Sequence, residues 1–368
     1  MRSGKRDQGA IKKMKILVIN CGSSSIKYKF FGMPGQKLIS KGAIEHIAEK
    51  GSPIQDHYTG LKLILGKIDS VDAVGHRVVH GAERFREPVL IDDSVIRKIR
   101  QCCAIAPLHN PANLEGILAC KKLLPGVKQV AVFDTAFHQT IPDYAYIYGL
   151  PYEYYKRHGI RKYGFHGTSH EYVSHEAAKI LKKPLHKLKL ITCHLGNGCS
   201  ITAIDKGISV DTSMGFTPLE GLVMGTRCGD IDPALVPYIM RKKKIDTLEM
   251  DAVLNKASGL KGISGLSNDM RVLEQKASAG NRRAKLAIEI FAYRIKKYIG
   301  AYMAAMNGCD AIVFTAGIGE NQKSIRDKVC LDLFSHIKIK PKLLVIPTNE
   351  ELMIARQTFK LMDGEPDA

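Results

Sequence analysis

Short runs of β-branched and aliphatic residues alternate with stretches of helical spacing along the whole chain. The runs at 15–20, 26–31, 73–79, 129–133, 190–194, 200–205 and 311–315 have the length and bounding turn residues of strands. Between 281 and 307, Ala284, Ile288, Phe291, Ile295, Ile299, Tyr302 and Met306 recur at three- and four-residue intervals, which predicts a long amphipathic helix closed by Gly308 as its C-cap. A last helix is predicted after Thr348, which stands three residues before Glu351 in the spacing of a capping box. Strands interleaved with helices indicate an α/β protein rather than a sandwich or a bundle.

One weak repeat stands out. ILVINCGSSSIKYKFF, from Ile16, and LITCHLGNGCSITAID, from Leu190, both read as an apolar strand, a polar residue, a tight Gly/Ser loop and a second strand. Two such hairpins suggest two related half-domains, each offering backbone N–H groups to an anion. Gly/Ser hairpins are also common as plain surface turns, so the pattern alone leaves both readings open.

Composition narrows the class. At about 150 residues per domain, 368 residues make two to three domains, and 45% hydrophobic with 25% charged residues is an ordinary globular balance. That excludes disordered, collagen-like and coiled-coil chains. Charge is the unusual feature: 55 Lys and Arg stand against 36 Asp and Glu, a formal +19, which invites polyanion-binding, membrane-surface and phosphorylated-substrate readings. The clusters at 241–244, 282–285 and 294–297 are basic, but aromatics total only 7% and no nucleic-acid motif accompanies them, so they read as solvated helix faces and no nucleic-acid partner is expected. No apolar run reaches the roughly 18 residues of a membrane span, so no membrane partner is expected either. Residues 1–13 are polar and basic and read as an extension without the apolar core of a signal peptide. The nine cysteines include no CxxC pair, which fits a reducing, cytoplasmic location.

Several residues can carry chemistry. GLKLILGK has five residues between its glycines and Ile68 where a metal-holding hydroxyl belongs, so it is no Walker A loop. NCGSSS offers a turn at Gly22, hydroxyls and N–H groups at Ser23 to Ser25, and a charge at Lys27, for phosphate or simply for a surface turn. GIGEN, 317–321, follows a strand and lets a nucleotide approach backbone, though a lone Gly-x-Gly is weak. Arg77 lies in an apolar strand and Arg227 in a Gly-rich loop beside Asp230; the planar fork suits carboxylate or phosphate, and an internal salt bridge is the alternative for each. His166 and His170 have zinc-like spacing but lack the Glu of HExxH. Asp134 directly follows an apolar strand, as a cleft residue or as a helix N-cap. Asn20 and Glu350 are hard oxygen donors suited to Mg²⁺, and Glu350 equally suits a first helical turn on dipole grounds.

Together these signals are far more specific. NCGSSSIK, GHRVVHGAE, APLHNP, VAVFDTAFHQTIP, GIRKYGFHGTSH, ITCHLGNGCS, VDTSMGFTPLEGLVMGTRCGDIDP, FTAGIGEN and VIPTNEEL resemble, in order, the signature blocks of the acetate kinase family, from Met14 to about Leu361. The resemblance implies an α/β fold of two RNase-H-like (actin-like ATPase) domains around a nucleotide cleft. It divides the chain into the 1–13 extension, an N-terminal domain at 14–148 joined by the C-terminal helix 348–362, and a nucleotide-binding domain at 149–347.

It implies reversible, Mg²⁺-dependent phosphoryl transfer from ATP to acetate, giving acetyl phosphate and ADP, with Mn²⁺ as a substitute metal and propionate or another short-chain acid as the alternative acceptor. It also implies a homodimer. By the same resemblance Asn20 and Glu350 match the metal positions, and Ser23, Ser25 and Lys27 the phosphate-side loop. Arg77 and Arg227 match the arginines at substrate carboxylate and phosphoryl, His166 the phosphoryl-contacting histidine, and Asp134 the catalytic aspartate. Val79, Leu108 and Pro218 match the acyl pocket. His194, Leu195, Gly196, Asn197 and Gly198, then Asp269, Met270 and Arg271, then Gly317, Ile318, Gly319, Glu320 and Asn321 match three ATP-binding segments. The chain departs from the pattern at 322–345 and near 50–58, which are shortened, and at Cys199 and Cys228, which introduce thiols with the capacity to make activity thiol-sensitive.

Overall fold

The structure is a computed structural model that describes residues 13–335 and 340–363. Residues 1–12 of the expected extension, and 336–339 of the shortened segment, lie outside the described residues. Eleven strands are described: β1 (Met14–Gly22), β2 (Ser25–Met33), β3 (Lys37–Ile44), β4 (Ala73–Val78), β5 (Val89–Leu90), β6 (Lys128–Phe133), β7 (Lys189–Leu195), β8 (Cys199–Asp205), β9 (Ile208–Thr212), β10 (Ala311–Thr315) and β11 (Lys342–Val345). The seven predicted strands are all present. The other four are short or exposed: β3 has no fully buried residue, β5 has two residues, and β11 is exposed along most of its length.

Two compact units divide the chain. The first holds the described residues up to Gly81, then Glu87–Phe133, then the chain from Glu350. Its sheet runs β3-β2-β1-β4-β6-β5, with β1 antiparallel to β2 and parallel to β4, and β4 parallel to β6. Leu17, Ile19, Ile26, Phe30, Leu61, Ile64, Val74 and Cys120 form one core, drawn from the sheet and from the helices His57–Leu65 and Asn110–Leu123. Successive strand residues face opposite ways, and Gly75, next to Val74, faces the last helix, Glu350–Asp363. A Cβ on Gly75 would lie 2.6 Å from Thr358 Oγ1 and 2.7 Å from Ile354 Cγ2, so glycine is what lets helix and sheet close there.

The second unit holds Ala82–Arg86 and Asp134–Asn349. Its sheet runs β11-β10-β7-β8-β9. Here β7 pairs β8 antiparallel and β10 parallel, and β10 pairs β11 parallel. Matching β1, β2, β3, β4 and β6 to β7, β8, β9, β10 and β11 reproduces every neighbour and every direction. The second and third strands of each set are also out of register at one point, Phe30/Phe31 and Ala203/Ile204. The hairpin repeat in the sequence is thus the visible part of a duplicated sheet.

Three local readings change. Segment 134–148, placed by sequence with the first domain, packs in the second unit: Thr140 Oγ1 donates to Ser209 O at 2.8 Å, and His138 meets Ser209 Oγ and Phe165 O. The long helix runs Arg282–Ala305 from the N-cap Asn281, and its closure is shared: Asn307 takes the left-handed position (φ 54°) directly ahead of the expected Gly308, itself at φ 100°. Gly308 N–H then reaches Met303 O and Asn307 N–H reaches Ala304 O, the paired closure of a Schellman end. The expected Thr348/Glu351 capping box is absent. Thr348 Oγ1 is taken by Ser169, its N–H donates to Glu320, and Glu351 pairs Lys29 at 2.8 Å within the first unit.

Candidate active site

In the first unit, the residues of interest sit where β1 and β4 end. The β1–β2 hairpin closes Gly22 against Ser25 with Ser23 and Ser24 in the turn, and Asn20 lies opposite Lys27. Ser23 and Lys27 are exposed, while Asn20 and Ser25 are half-buried. The turn is held from behind: Ser24 O accepts Ile47 N–H at 3.0 Å, and Gly22 O meets His57 Nε2 at 2.8 Å. Arg77, on β4, places Nε 3.7 Å from Glu350 Oε2, so the internal pair weighed from sequence exists for this arginine. Val79 is buried and Leu108 is 57% exposed.

Two buried asparagines that sequence reasoning did not single out organise this region. Asn113 Oδ1 accepts Val79 N–H at 3.0 Å while its Nδ2 donates to Cys21 O at 2.8 Å. Asn110 exchanges two bonds with the His80 backbone. One amide side chain therefore ties the exit of β4, two residues past Arg77, to the exit of β1, one residue past Asn20. Asn113→Ala strands a buried N–H and a buried carbonyl. It is expected to cost about 2–4 kcal/mol in urea denaturation, and a loss below about 1 kcal/mol would contradict the clamp.

The second unit collects the rest. Asp134, directly after β6, is buried, and its carbonyl accepts Gly167 N–H at 2.9 Å. A Cβ on Gly167 would lie 2.3 Å from that carbonyl oxygen. His166, the N-cap of helix Gly167–Leu181, holds the left-handed backbone at φ 56°, a conformation that persists in a non-glycine residue only where the surroundings enforce it. Its ring stacks on His194 with centroids 4.1 Å apart and 19° between planes. His194 Nδ1 bonds Ser169 Oγ at 2.8 Å. The β7–β8 turn, Gly196 to Gly198, closes with Gly196 N–H on Gly198 O. A Cβ on Gly198 would lie 3.3 Å from Arg227 Nη1 and 3.5 Å from His166 Nε2, which puts guanidinium and imidazole against one glycine.

Arg227 settles differently from Arg77. Its Nη1 donates to Pro218 O at 3.2 Å and touches Met224 Sδ, and among the described residues no carboxylate reaches it. The neighbouring Asp230 is committed elsewhere, accepting Gly221 N–H and the Tyr298 hydroxyl, each at 2.7 Å. Burial pushes the Arg227 pKa below its ordinary value. A partly buried guanidinium with no protein anion suits an incoming anion. The zinc reading of His166 and His170 fails: both His170 nitrogens bond hydroxyls, and among the described residues no group of three His, Cys, Asp or Glu can hold a metal.

The other two segments expected to bind nucleotide are tied up locally. Asp269 caps helix Met270–Ser278 through Arg271 N–H and pairs the Arg271 side chain at 2.6 Å, and that arginine holds its carboxyl below the usual range. Glu320 Oε1 accepts the N–H groups of Ala316 and Thr348, and Asn321 Nδ2 donates to Gly317 O. GIGEN is thus part of the helical turn Ala316–Asn321 rather than an open glycine loop, with Gly317 exposed. Asn197 Oδ1 accepts from Asn268 Nδ2. Cys199 is fully buried and its thiol is pushed up to about 12, and burial also raises the half-buried Cys228, which argues against the expected thiol sensitivity. An amide oxygen at Asn20 and a carboxylate at Glu350 are hard donors, a set that suits a divalent cation bound largely by water and phosphate.

A duplicated sheet of this order, with Arg227 set against the glycine hairpin Gly196–Gly198, defines an α/β protein of the RNase-H-like class. The chain belongs to the Acetokinase family, whose sequence model matches residues 15–340. It is 52% identical over 398 aligned positions to the acetate kinase of Halothermothrix orenii, covering 95% of this chain and 100% of that one, so the relative carries internal segments this chain lacks. The acetate kinase structure from Porphyromonas gingivalis superposes with a TM-score of 0.90 at 42% identity, over 95% of this chain and all of the other. A propionate kinase structure from Francisella tularensis gives 0.88 at 46%, over 94% and 99%.

Proposed function

We propose that the chain is an acetate kinase, transferring the γ-phosphoryl group of ATP reversibly to acetate to give acetyl phosphate and ADP. The observation that carries this is Arg227, a guanidinium without a protein anion, set against Gly198 beside His166. A carboxylic acid titrates near pH 4–5, so at neutral pH the acceptor is already an anion and needs no general base. Catalysis is then positioning and charge neutralisation. Arg77 and Arg227 offset the repulsion between carboxylate and triphosphate, His166 donates to an equatorial phosphoryl oxygen, and Asp134 orients these donors rather than removing a proton. Val79, Leu108 and Pro218 are the residues that serve the acyl methyl. Ser23, Ser25 and Lys27, with His194 to Gly198, Asp269 to Arg271 and Gly317 to Asn321, serve the nucleotide. Asn20 and Glu350 are the residues that would hold Mg²⁺, or Mn²⁺ in its place, whose chemistry is charge neutralisation at the phosphate oxygens.

Direct in-line displacement predicts inversion at phosphorus with a chiral γ-phosphoryl donor, and retention would instead demand a phosphoenzyme. The acceptor is tested by kcat/KM for acetate, propionate and butyrate in a hydroxamate trap, with acetate expected first. The propionate kinase likeness supports propionate as the second reading, since one methylene in an apolar pocket is worth only about 1–3 kcal/mol. The family resemblance also supports a cytoplasmic homodimer, and sedimentation of the purified chain tests the oligomeric state.

A further inference from the structure

We infer that Ser200 is a positioning residue that fixes His166 as a neutral imidazole with its proton on Nε2, through a one-way chain of hydrogen bonds running from Thr192 by way of His170. The inference rests on the reading of His166 as a phosphoryl contact only for its effect on rate, since the tautomer itself is independent of that reading. Ser200 lies on β8 opposite His194, the ring that stacks on His166, and is fully buried. Its hydroxyl sits 2.9 Å from His166 Nδ1 and 2.7 Å from His170 Nε2. One hydroxyl has one proton, so it donates to one ring and must accept from the other. His170 is fully buried, and desolvation drives its pKa well below the ordinary value, so it carries a single ring N–H. Its Nδ1 meets Thr192 Oγ1 at 2.7 Å.

Proton accounting picks the direction. Thr192 is fully buried, and among the described residues His170 Nδ1 is the sole hydrogen-bond partner of its hydroxyl. If the chain ran from His166 toward Thr192, the Thr192 hydroxyl would accept from His170 Nδ1–H and its own proton would have no acceptor, leaving a buried donor unmade. Run the other way, Thr192 O–H donates to His170 Nδ1, His170 Nε2–H to Ser200 Oγ, and Ser200 O–H to His166 Nδ1. Every donor then has an acceptor. The remaining proton of His166 lies on Nε2, the atom that shares Gly198 with Arg227. Because Nδ1 accepts from Ser200, the ring carries a single proton and donates as a neutral group. The consequence for transfer is a fixed N–H donor that needs no ionisation.

The test is two-bond ¹H–¹⁵N correlation on the full-length enzyme labelled at histidine, with His166 assigned by its loss in His166→Gln. The expected wild-type spectrum shows a protonated Nε2 and an unprotonated, hydrogen-bonded Nδ1. An Nδ1–H tautomer or an imidazolium at neutral pH overturns the proposal before any variant is made. Thr192→Val, which removes the hydroxyl that orients the chain, is expected to split His166 between tautomers. Ser200→Ala is expected to do the same and to lower kcat roughly tenfold or more, with KM for acetate within about twofold. A fall in kcat with the His166 spectrum unchanged in both variants assigns Ser200 a purely structural role and overturns the proposal. If His166→Gln itself turns over near normally, the phosphoryl-contact reading fails while the spectra still decide the tautomer.

Discussion

Arg227→Ala is expected to lower turnover by about 10³-fold or more while leaving the unfolding temperature within about 4 °C of the parent. The two halves of that outcome have one cause. The guanidinium is partly buried, its hydrogen bond goes to a backbone carbonyl, and no carboxylate among the described residues offsets its charge. Its desolvation is therefore a standing cost in the free protein, which the proposed function would offset by the arrival of a phosphoryl or carboxylate anion. Removing it discards the cost along with the function. Steady-state rates in the hydroxamate assay and a calorimetric scan measure both, and near-normal turnover would sink the assignment. Arg77→Ala is expected to be comparably slow, but Arg77 already faces Glu350, so its removal also leaves a half-buried carboxylate without that partner.

Gly167→Ala comes second. Alanine at the first position of a helix is ordinarily neutral or stabilising, and the sign reverses here because the added Cβ would stand 2.3 Å from Asp134 O, and that atom is backbone. The strand exit and the helix start must separate, carrying Asp134 and His166 apart. Overpacking of this kind costs about 1–3 kcal/mol, and a displacement near 1 Å at reacting groups costs on the order of 10²-fold in rate. Urea denaturation and kcat together check it. A variant with parental stability and rate would show that the contact does not set the geometry.

The central strands were legible because each is a continuous apolar run buried on both faces, as in Ile16 to Ile19. Lys37–Ile44 was not, because an exposed edge strand has no apolar pattern to read. The duplicated sheet was half legible: the hairpins repeat in sequence, whereas the strand order that proves the repeat is a property of pairing alone. Arg77, Arg227, His166 and Asp134 could be picked out as candidates from residue type and motif alone. Which arginine is paired was not, since Asp230 stands three positions from Arg227 and yet serves Gly221 and Tyr298. Asn113 and Ser200 were missed for a related reason. Their partners lie 34 and 92 residues away in one case and 30 and 34 in the other, beyond any local signal.

The last helix has a bearing on how the protein is born. Glu350–Asp363 completes the first unit, seated against β1, β2 and β4 with Gly75 cut away to receive Thr358 and Ile354. More than two hundred residues, Asp134–Asn349, separate it from the rest of that unit. At roughly 5–20 residues per second, a ribosome leaves one face of the nascent first sheet bare for on the order of 10–40 s. The unit that begins first is therefore finished last, and truncation within Glu350–Asp363 strikes that earlier unit rather than the one just synthesised.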